Sequence, residues 1–529
     1  MFSTRRTTAI SSLLTRNRSS INLVRTYISP LAKAAIRRLQ TGFVPNDVES
    51  IITGLTIGDE LQSGRSDLIW PSPRPIIPSG AMQKVGIVPL YHYGSRFERV
   101  RYWQDIPGWR QVAEQQFLSY GWNTKTDIHG KDQLASFLNQ VLPDNIPRNT
   151  VFNHTMTRKA FVEDVIAGFD AASMSIWLKP HIMSLINWSN PLDDPLRRQY
   201  IPMESTLLPN HPKLLLNSLH KSLDSPCHGL IHWYPDKVLF LATSVCPLYC
   251  RYCTRSYAIA EASIKASPAH TNAYWNTAIE YIKDNPAIQD IEIGEDSYYL
   301  TPEQLKFIGE ALLNIDHVRR FHFTTRGLAA TPSRILDPND TWTDELIQIS
   351  KLGRKMGKHV AIQTHFNHPN EFSWVTREAA QKLFANGVTV LNQSVLLRGV
   401  NDSVSTMSTL IRELADCNIK PYYVYQCDMA KGVEDLRTPL STILHLETQL
   451  RGSTAGFSMP QFVVNLPGGG GKRLSASHKS YDRTTGISTF VAPAVKGQRN
   501  ENEVYEYFDP VHSLPDLEPL SRGLVFGGI

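Results

Sequence analysis

Three of the six cysteines, Cys246, Cys250 and Cys253, fall within the run Cys246-Pro-Leu-Tyr-Cys250-Arg-Tyr-Cys253, while Cys227, Cys417 and Cys427 are scattered. Six cysteines in 529 residues are too few for a disulfide scaffold. A cluster of thiols points instead to metal, either an iron–sulfur cluster or zinc, with three buried structural thiols as the plain alternative. A structural zinc takes four protein ligands, and no fourth partner stands at close spacing, so zinc is not expected. Three thiolates on a four-iron cluster leave one iron open to a further molecule, and the spacing favours that cluster.

The second chemical signal is Pro467-Gly-Gly-Gly-Gly-Lys472. Four glycines let backbone N–H groups approach an anion closely, because no Cβ intervenes. A nucleotide P-loop is excluded, since Leu466 and Arg473 stand where that motif requires Gly and Ser or Thr. Alone, such a run is more often a flexible turn. The lysine amine is also suited to imine chemistry with an aldehyde.

Both signals fall at the ends of candidate strands. After Pro235, short β-branched or aromatic runs alternate with stretches of helical period. The strands are expected at Val238–Thr243, Ile291–Gly294, Arg320–Thr325, Val360–Phe366, Val388–Val395, Tyr422–Cys427 and Phe462–Asn465. Helices are expected near 270–284, 302–314, 343–357, 374–386, 404–416 and 440–450, and Gly387 is a typical helix stop. The pattern predicts an α/β protein built on a partial or complete (β/α) barrel over 231–470, with its sites at the carboxyl ends of the strands. A mainly helical N-terminal region is expected over 101–230, with patterns at Gln133–Val141 and Ala160–Leu185. Residues 46–100 read as an irregular lead-in, and 471–529 as a C-terminal segment, irregular beyond about 496.

The net charge of +5 does not point to nucleic acid. Residues 1–45 hold eight basic residues and no acidic one, so the remainder stands at −3. That Arg- and Ser-rich leader predicts a mitochondrial transit peptide and a matrix location, against the plainer reading of a solvated basic tail. No apolar run approaches the ~18 residues that a membrane-spanning helix needs.

The cysteine spacing is that of the radical S-adenosylmethionine superfamily, and the chain resembles the lysine 2,3-aminomutase family over roughly 100–495. The resemblance is densest in His365-Phe-Asn-His-Pro-Asn-Glu371, Asn392-Gln-Ser-Val-Leu-Leu-Arg-Gly-Val-Asn-Asp402, Tyr422-Tyr-Val-Tyr-Gln-Cys-Asp428 and Pro467–Lys472. It implies a 4Fe-4S cluster on the cysteine triplet, S-adenosylmethionine on the open iron, and pyridoxal 5'-phosphate joined to Lys472 as a Schiff base. The implied reaction moves the amino group of an amino acid from C2 to C3 through a pyridoxal phosphate aldimine. By the same resemblance Arg255 pairs with the substrate carboxylate, and Tyr234, Tyr425 and Lys237 serve the pyridoxal site. Gly294, Glu295, Asp296, His365 and Gln393 face S-adenosylmethionine. The implied partners are a small amino acid substrate and a flavodoxin- or ferredoxin-type electron donor; a homo-oligomer is left open.

The departures matter for substrate. The family grips the lysine ε-ammonium with two carboxylates; one is kept as Asp428, but the other is Asn465. Lysine remains the first expectation, with glutamate or another amino acid as a rival. A non-catalytic iron–sulfur and pyridoxal-binding sensor is the different-class alternative. Ser403 replaces a family cysteine, Tyr252 a histidine, and Trp233 and Lys237 stand for arginines of the phosphate anchor.

Overall fold

The computed structural model describes residues 99–149, 155–172, 174–216, 225–253, 271–493 and 503–515. The expected transit segment 1–45, nearly all of the 46–100 lead-in, and Arg255 lie outside the described residues.

The N-terminal region is built on helices α1 (Gly130–Val141), α2 (Arg158–Ala171), α3 (Pro180–Leu185) and α4 (Pro195–Tyr200). The helical pattern over Ala160–Leu185 is divided between two helices. α2 stops at Ala171, Trp177–Leu178 pairs antiparallel with Ile128–His129, and α3 restarts at Pro180. Proline lacks the N–H that a continuing helix would need, so it opens a helix instead.

Beyond it lies one nine-stranded sheet whose spatial order follows the chain. Its strands are β1 (Leu230–Tyr234), β2 (Lys237–Leu241), β3 (Asp290–Gly294), β4 (Arg320–Thr324), β5 (His359–Thr364), β6 (Thr389–Leu396), β7 (Ile419–Gln426), β8 (Gln461–Leu466) and β9 (Gly471–Leu474). β2 to β8 are parallel, and β1 and β9 close the two edges as antiparallel hairpin partners. The crossovers carry α5 (Thr271–Asp284), α6 (Pro302–Leu313), α7 (Trp342–Lys355), α8 (Trp374–Ala385) and α9 (Val404–Asp416), and α10 (Leu440–Leu450) precedes β8. Local chemistry sets these ends. Thr301 and Gln304 form a capping box at α6, Ser373 and Ser403 cap α8 and α9, and Gly387 at φ 72° turns the chain into β6.

Alternation along the strands divides the barrel in two. Val238, Phe240, Ile291, Ile293, Phe321, Phe323, Val360 and Ile362 join one buried core with the outer helices. The opposite face carries Glu292, His322, Gln363, Gln393, Tyr423, Tyr425 and Asn465, so the lumen is polar. The sheet curls until its ends nearly meet, forming a nearly closed mixed barrel.

The N-terminal region covers the carboxyl ends of the strands. Its Trp103, Phe117, Ile182 and Leu196 share a second core with Leu248 and Tyr252 after β2, Ala330 after β4, Leu397 after β6, and Val433 after β7. The sheet also runs past residue 470, which lies inside the β8–β9 turn. Further on, β10 (Ser480–Asp482), β11 (Ile487–Val491) and β12 (Val504–Phe508) form an antiparallel sheet, although β12 falls where the sequence reads as irregular. Tyr507 anchors it, donating its hydroxyl hydrogen to the Cys427 carbonyl at 2.9 Å. Among the described residues no helix is long and apolar enough to cross a membrane.

Candidate active site

The cysteine loop follows β2 at its carboxyl end, as the sequence predicts. Cys250 is buried, and Cys246 and Cys253 are partly so; none is in a disulfide. Cys246 Sγ donates to the Leu248 carbonyl at 3.3 Å and lies 3.5 Å from Asp296 Oδ2. Burial first, and then Asp296, pushes the Cys246 thiol well above its ordinary range. Among the described residues no group of His, Cys, Asp or Glu converges as a single-ion site. The triplet remains a compact three-sulfur donor set on one loop, and cluster irons are held by such thiolates.

Asp296 lies just beyond β3, and all its contacts brace neighbouring loops. It accepts from the Tyr298 N–H at 2.9 Å, Thr325 Oγ1 at 2.8 Å and the Arg326 N–H at 2.8 Å. Gly294 ends β3, and the Gly294–Glu295 peptide is cis. His365, beyond β5, shares a 3.0 Å hydrogen bond with Tyr252 and lies nearly parallel to its ring. Burial and then Arg326 hold the His365 imidazole well below its usual value, so it is neutral. Gln393 sits on the lumen face of β6, in register with Tyr423 of β7.

Lys472 pairs in register with Asn465 at the carboxyl end of β8. The glycines before it have a structural reason. Gly468, Gly469 and Gly471 take φ of 73°, 83° and 81°, a conformation that other residues avoid. A Cβ on Gly470 would meet Leu466 and the Tyr505 ring at 2.8 Å. This tight turn aims the Lys472 ammonium into the lumen, 5.4 Å from the ring centres of both Tyr423 and Tyr425. Burial works against its charge, but Tyr425, Glu292 and Tyr234 outweigh it and hold the ammonium well above its ordinary pKa. Tyr234 accepts the Lys472 backbone N–H at 2.9 Å, and Lys237 Nζ rests 4.1 Å above the Tyr234 ring. The structure thus gathers Lys472, Tyr234, Tyr425 and Lys237 into one neighbourhood. Beside it, Asn465 Nδ2 donates to both oxygens of Asp428, at 3.1 and 3.4 Å.

Glu292 and Arg326 are not among the sequence-derived site residues. Glu292 accepts from Gln363 Nε2 at 3.5 Å and lies 3.9 Å from His322, inside the lumen. A carboxylate at the centre of the run Asp-Ile-Glu-Ile-Gly was its one sequence signal. Arg326, directly after the Thr-Thr end of β4, carried none.

Comparisons with known proteins identify the family. No family model matches the chain. It is 40% identical over 301 residues to L-lysine 2,3-aminomutase of Clostridium subterminale, covering 57% of this chain and 68% of that protein. It is 34% identical to the Bacillus subtilis L-lysine 2,3-aminomutase, covering 70% and 72% of the two chains. The chain belongs to the lysine 2,3-aminomutase family. It is an isomerase, as the family's members are. The family also reaches a second substrate class, because the glutamate 2,3-aminomutase of Clostridioides difficile is 30% identical, covering 68% of this chain and 77% of that one. Membership in the lysine 2,3-aminomutase family therefore fixes the reaction type more firmly than the side chain acted on.

Proposed function

We propose that this protein is a radical S-adenosylmethionine 2,3-aminomutase acting on an L-amino acid, first of all L-lysine, converting it to L-β-lysine. The supporting observation is the placement of both chemical signals. The cysteine loop leaves the carboxyl end of β2, and Lys472 pairs with the carboxyl end of β8. Both therefore serve the same end of one barrel, which the N-terminal region covers.

When bound, the 4Fe-4S cluster and S-adenosylmethionine supply a hydrogen-abstracting radical, and pyridoxal phosphate supplies the aldehyde that carries the migrating amino group. Cys246, Cys250 and Cys253 would hold the cluster. Lys472, Tyr234, Tyr425 and Lys237 would hold pyridoxal phosphate, with the Lys237 cation available to its phosphate. The chain's own contribution is positioning. Tyr425, Glu292 and Tyr234 hold the proton on Lys472 Nζ until it must leave. Asp428 and Asn465 orient the far end of the substrate, and Arg255 takes its carboxylate. The N-terminal cover excludes water and oxygen. The electron donor is proposed to be a flavodoxin- or ferredoxin-type protein, and residues 1–45 to direct import into the mitochondrial matrix.

The Asn465–Asp428 contact favours a second reading of the substrate. A single carboxylate, part of whose acceptor capacity is taken by an amide, is a weaker ammonium site than a carboxylate pair. A polar, uncharged amino acid therefore also fits.

The test is anaerobic reconstitution with iron, sulfide and pyridoxal phosphate, followed by a panel of L-amino acids with and without S-adenosylmethionine. A β-amino acid formed only with S-adenosylmethionine is expected, and the best substrate names the specificity. Cofactor binding with no β-amino acid from any member of the panel would replace this reading with a non-catalytic sensor.

A further inference from the structure

Behind the cysteine loop lies a buried polar network centred on Arg326, a residue with no part in the reading above. Arg326 is 5% exposed. Its backbone N–H donates to Asp296 Oδ2 at 2.8 Å, the same oxygen that Cys246 Sγ approaches at 3.5 Å. Its Nη1 donates to the Tyr252 hydroxyl at 2.9 Å, and Tyr252 stands between Cys250 and Cys253. The Arg326 side chain thus holds the loop at Tyr252, and its backbone reaches Cys246 through Asp296.

Behind the guanidinium, Glu371 Oε1 accepts from Nη2 at 3.0 Å, and Tyr200 is hydrogen-bonded to both. Glu371 is held in turn by the backbone N–H groups of Asn367 and His368, at 2.5 and 2.8 Å. The carboxylate therefore cannot swing toward the cysteines, and the cation stands between it and the loop. One donor of the guanidinium, Nε–H, is buried without a hydrogen-bond partner.

We infer that Arg326 is a positioning residue that fixes the cysteine loop and keeps a permanent positive charge beside the cluster, raising its reduction potential. The inference rests on the proposed cluster site. A guanidinium does not lose its proton in proteins, so this charge is constant across the working pH range. Reduction adds one electron from an external low-potential donor to the cluster and breaks no protein bond. The product carries one more negative charge, so a fixed cation nearby favours it; net charge is one of the protein's levers on cluster potential. Glu371 opposes this effect from further away and sets its size.

The experiment is a redox titration of the reconstituted full chain, followed by low-temperature electron paramagnetic resonance, for wild type, Arg326→Gln, Arg326→Lys and Glu371→Gln. Arg326→Gln should lower the reduced-to-oxidised ratio about tenfold at a fixed potential, which is about 59 mV for one electron. Arg326→Lys should stay near wild type, and Glu371→Gln should shift the ratio the opposite way. Opposite signs from the two neutralising variants cannot come from loosened packing alone. If Arg326→Gln does not fold, the upward shift in Glu371→Gln carries the test. Equal potentials throughout, or shifts of one sign, would overturn the role of Arg326. A wild-type protein that takes up no iron overturns the cluster site itself, and is read from iron content before any titration.

Discussion

The backbone N–H of Lys472 donates to the Tyr234 hydroxyl over 2.9 Å, joining residues 238 apart in the chain. Tyr234 ends the first strand of the sheet and Lys472 lies in the last, so this bond spans the seam where the barrel nearly closes. The reactive amine is thereby tied to the hairpin whose Lys237 is proposed to bind phosphate. Closure of the fold and assembly of the proposed pyridoxal site are one event.

Removing the amine should remove covalent cofactor capture. Borohydride reduction of the pyridoxal-loaded protein should label a peptide containing Lys472, and Lys472→Ala should abolish both the label and the activity. Tyr234→Phe, which deletes one neutral hydrogen bond, should weaken pyridoxal phosphate binding by about 1 kcal/mol. Labelling of a different lysine in the wild type would refute the assignment.

The charge on Lys472 gives a pH dependence. Its pKa is raised, so the neutral amine that attacks an aldehyde is the minor form at neutral pH. Imine formation by the cofactor-free protein should accelerate with pH by about tenfold per unit below that pKa. Glu292 stabilises the ammonium, so Glu292→Gln should lower the pKa and speed imine formation at a fixed pH. Stopped-flow absorbance after mixing with pyridoxal phosphate measures both.

Asn465 should govern side-chain selection. A second carboxylate 4 Å from an ammonium is worth up to about 4 kcal/mol at an effective dielectric near 20. Asn465→Asp should therefore improve kcat/KM for lysine by tenfold or more, chiefly through KM, and depress use of uncharged amino acids. Asp428→Asn should do the reverse. Steady-state kinetics on the two variants with lysine, glutamate and a neutral amino acid decide the matter. An unchanged lysine preference in both would place the specificity elsewhere.

The barrel was legible in the sequence because its strands and helices follow two different periods. All seven parallel strands and the six helices of the barrel region lie where alternation places them, within a few residues. What escaped has physical reasons. β1 and β9 are edge hairpin partners, and β9 begins in glycine, which carries no pattern. β12 reads Val-Tyr-Glu-Tyr-Phe but stands alone in a polar stretch, and its one partner strand, β11, lies upstream. Site residues proposed to touch a cofactor sit in recognisable runs. The contacts of Arg326 and Glu292 are supplied by distant parts of the chain, so no local spacing marks them.

Acid should loosen the cover over the site. His181 in α3 and His368 beyond β5 are buried, and burial pushes each down to about 3. Their folded pKa values lie below the unfolded value of about 6.5. The unfolded chain thus takes up more protons as pH falls, and the stability contributed by keeping each histidine neutral is full above about 6.5 and lost below it. Between pH 6 and 4 each should remove about 1.4 kcal/mol of stability per pH unit. Urea unfolding at both pH values should show this loss, and a His368→Gln variant should show less of it.

The final prediction concerns how the N-terminal cover is fastened. Lys179 and Asp127 form a fully buried ion pair at 2.5 Å, and Lys179 Nζ also donates to the Tyr299 hydroxyl at 2.7 Å. Tyr299 follows Asp296 by three residues, so the pair fastens the cover to the loop that braces Cys246. The rings of Trp177, Tyr298 and Tyr299 lie 5.1–5.7 Å from the ammonium and share its desolvation cost. Removing one partner strands the other, at about 3–5 kcal/mol. Asp127→Leu or Lys179→Met alone should therefore lower stability by that amount and open the N-terminal cover to protease. Lys179→Met combined with Asp127→Leu should recover most of the loss, because no unpaired charge then stays buried. Thermal unfolding of the two single variants and the double variant measures the coupling, and simple additivity of the losses would show that the pair does not act as one fastening.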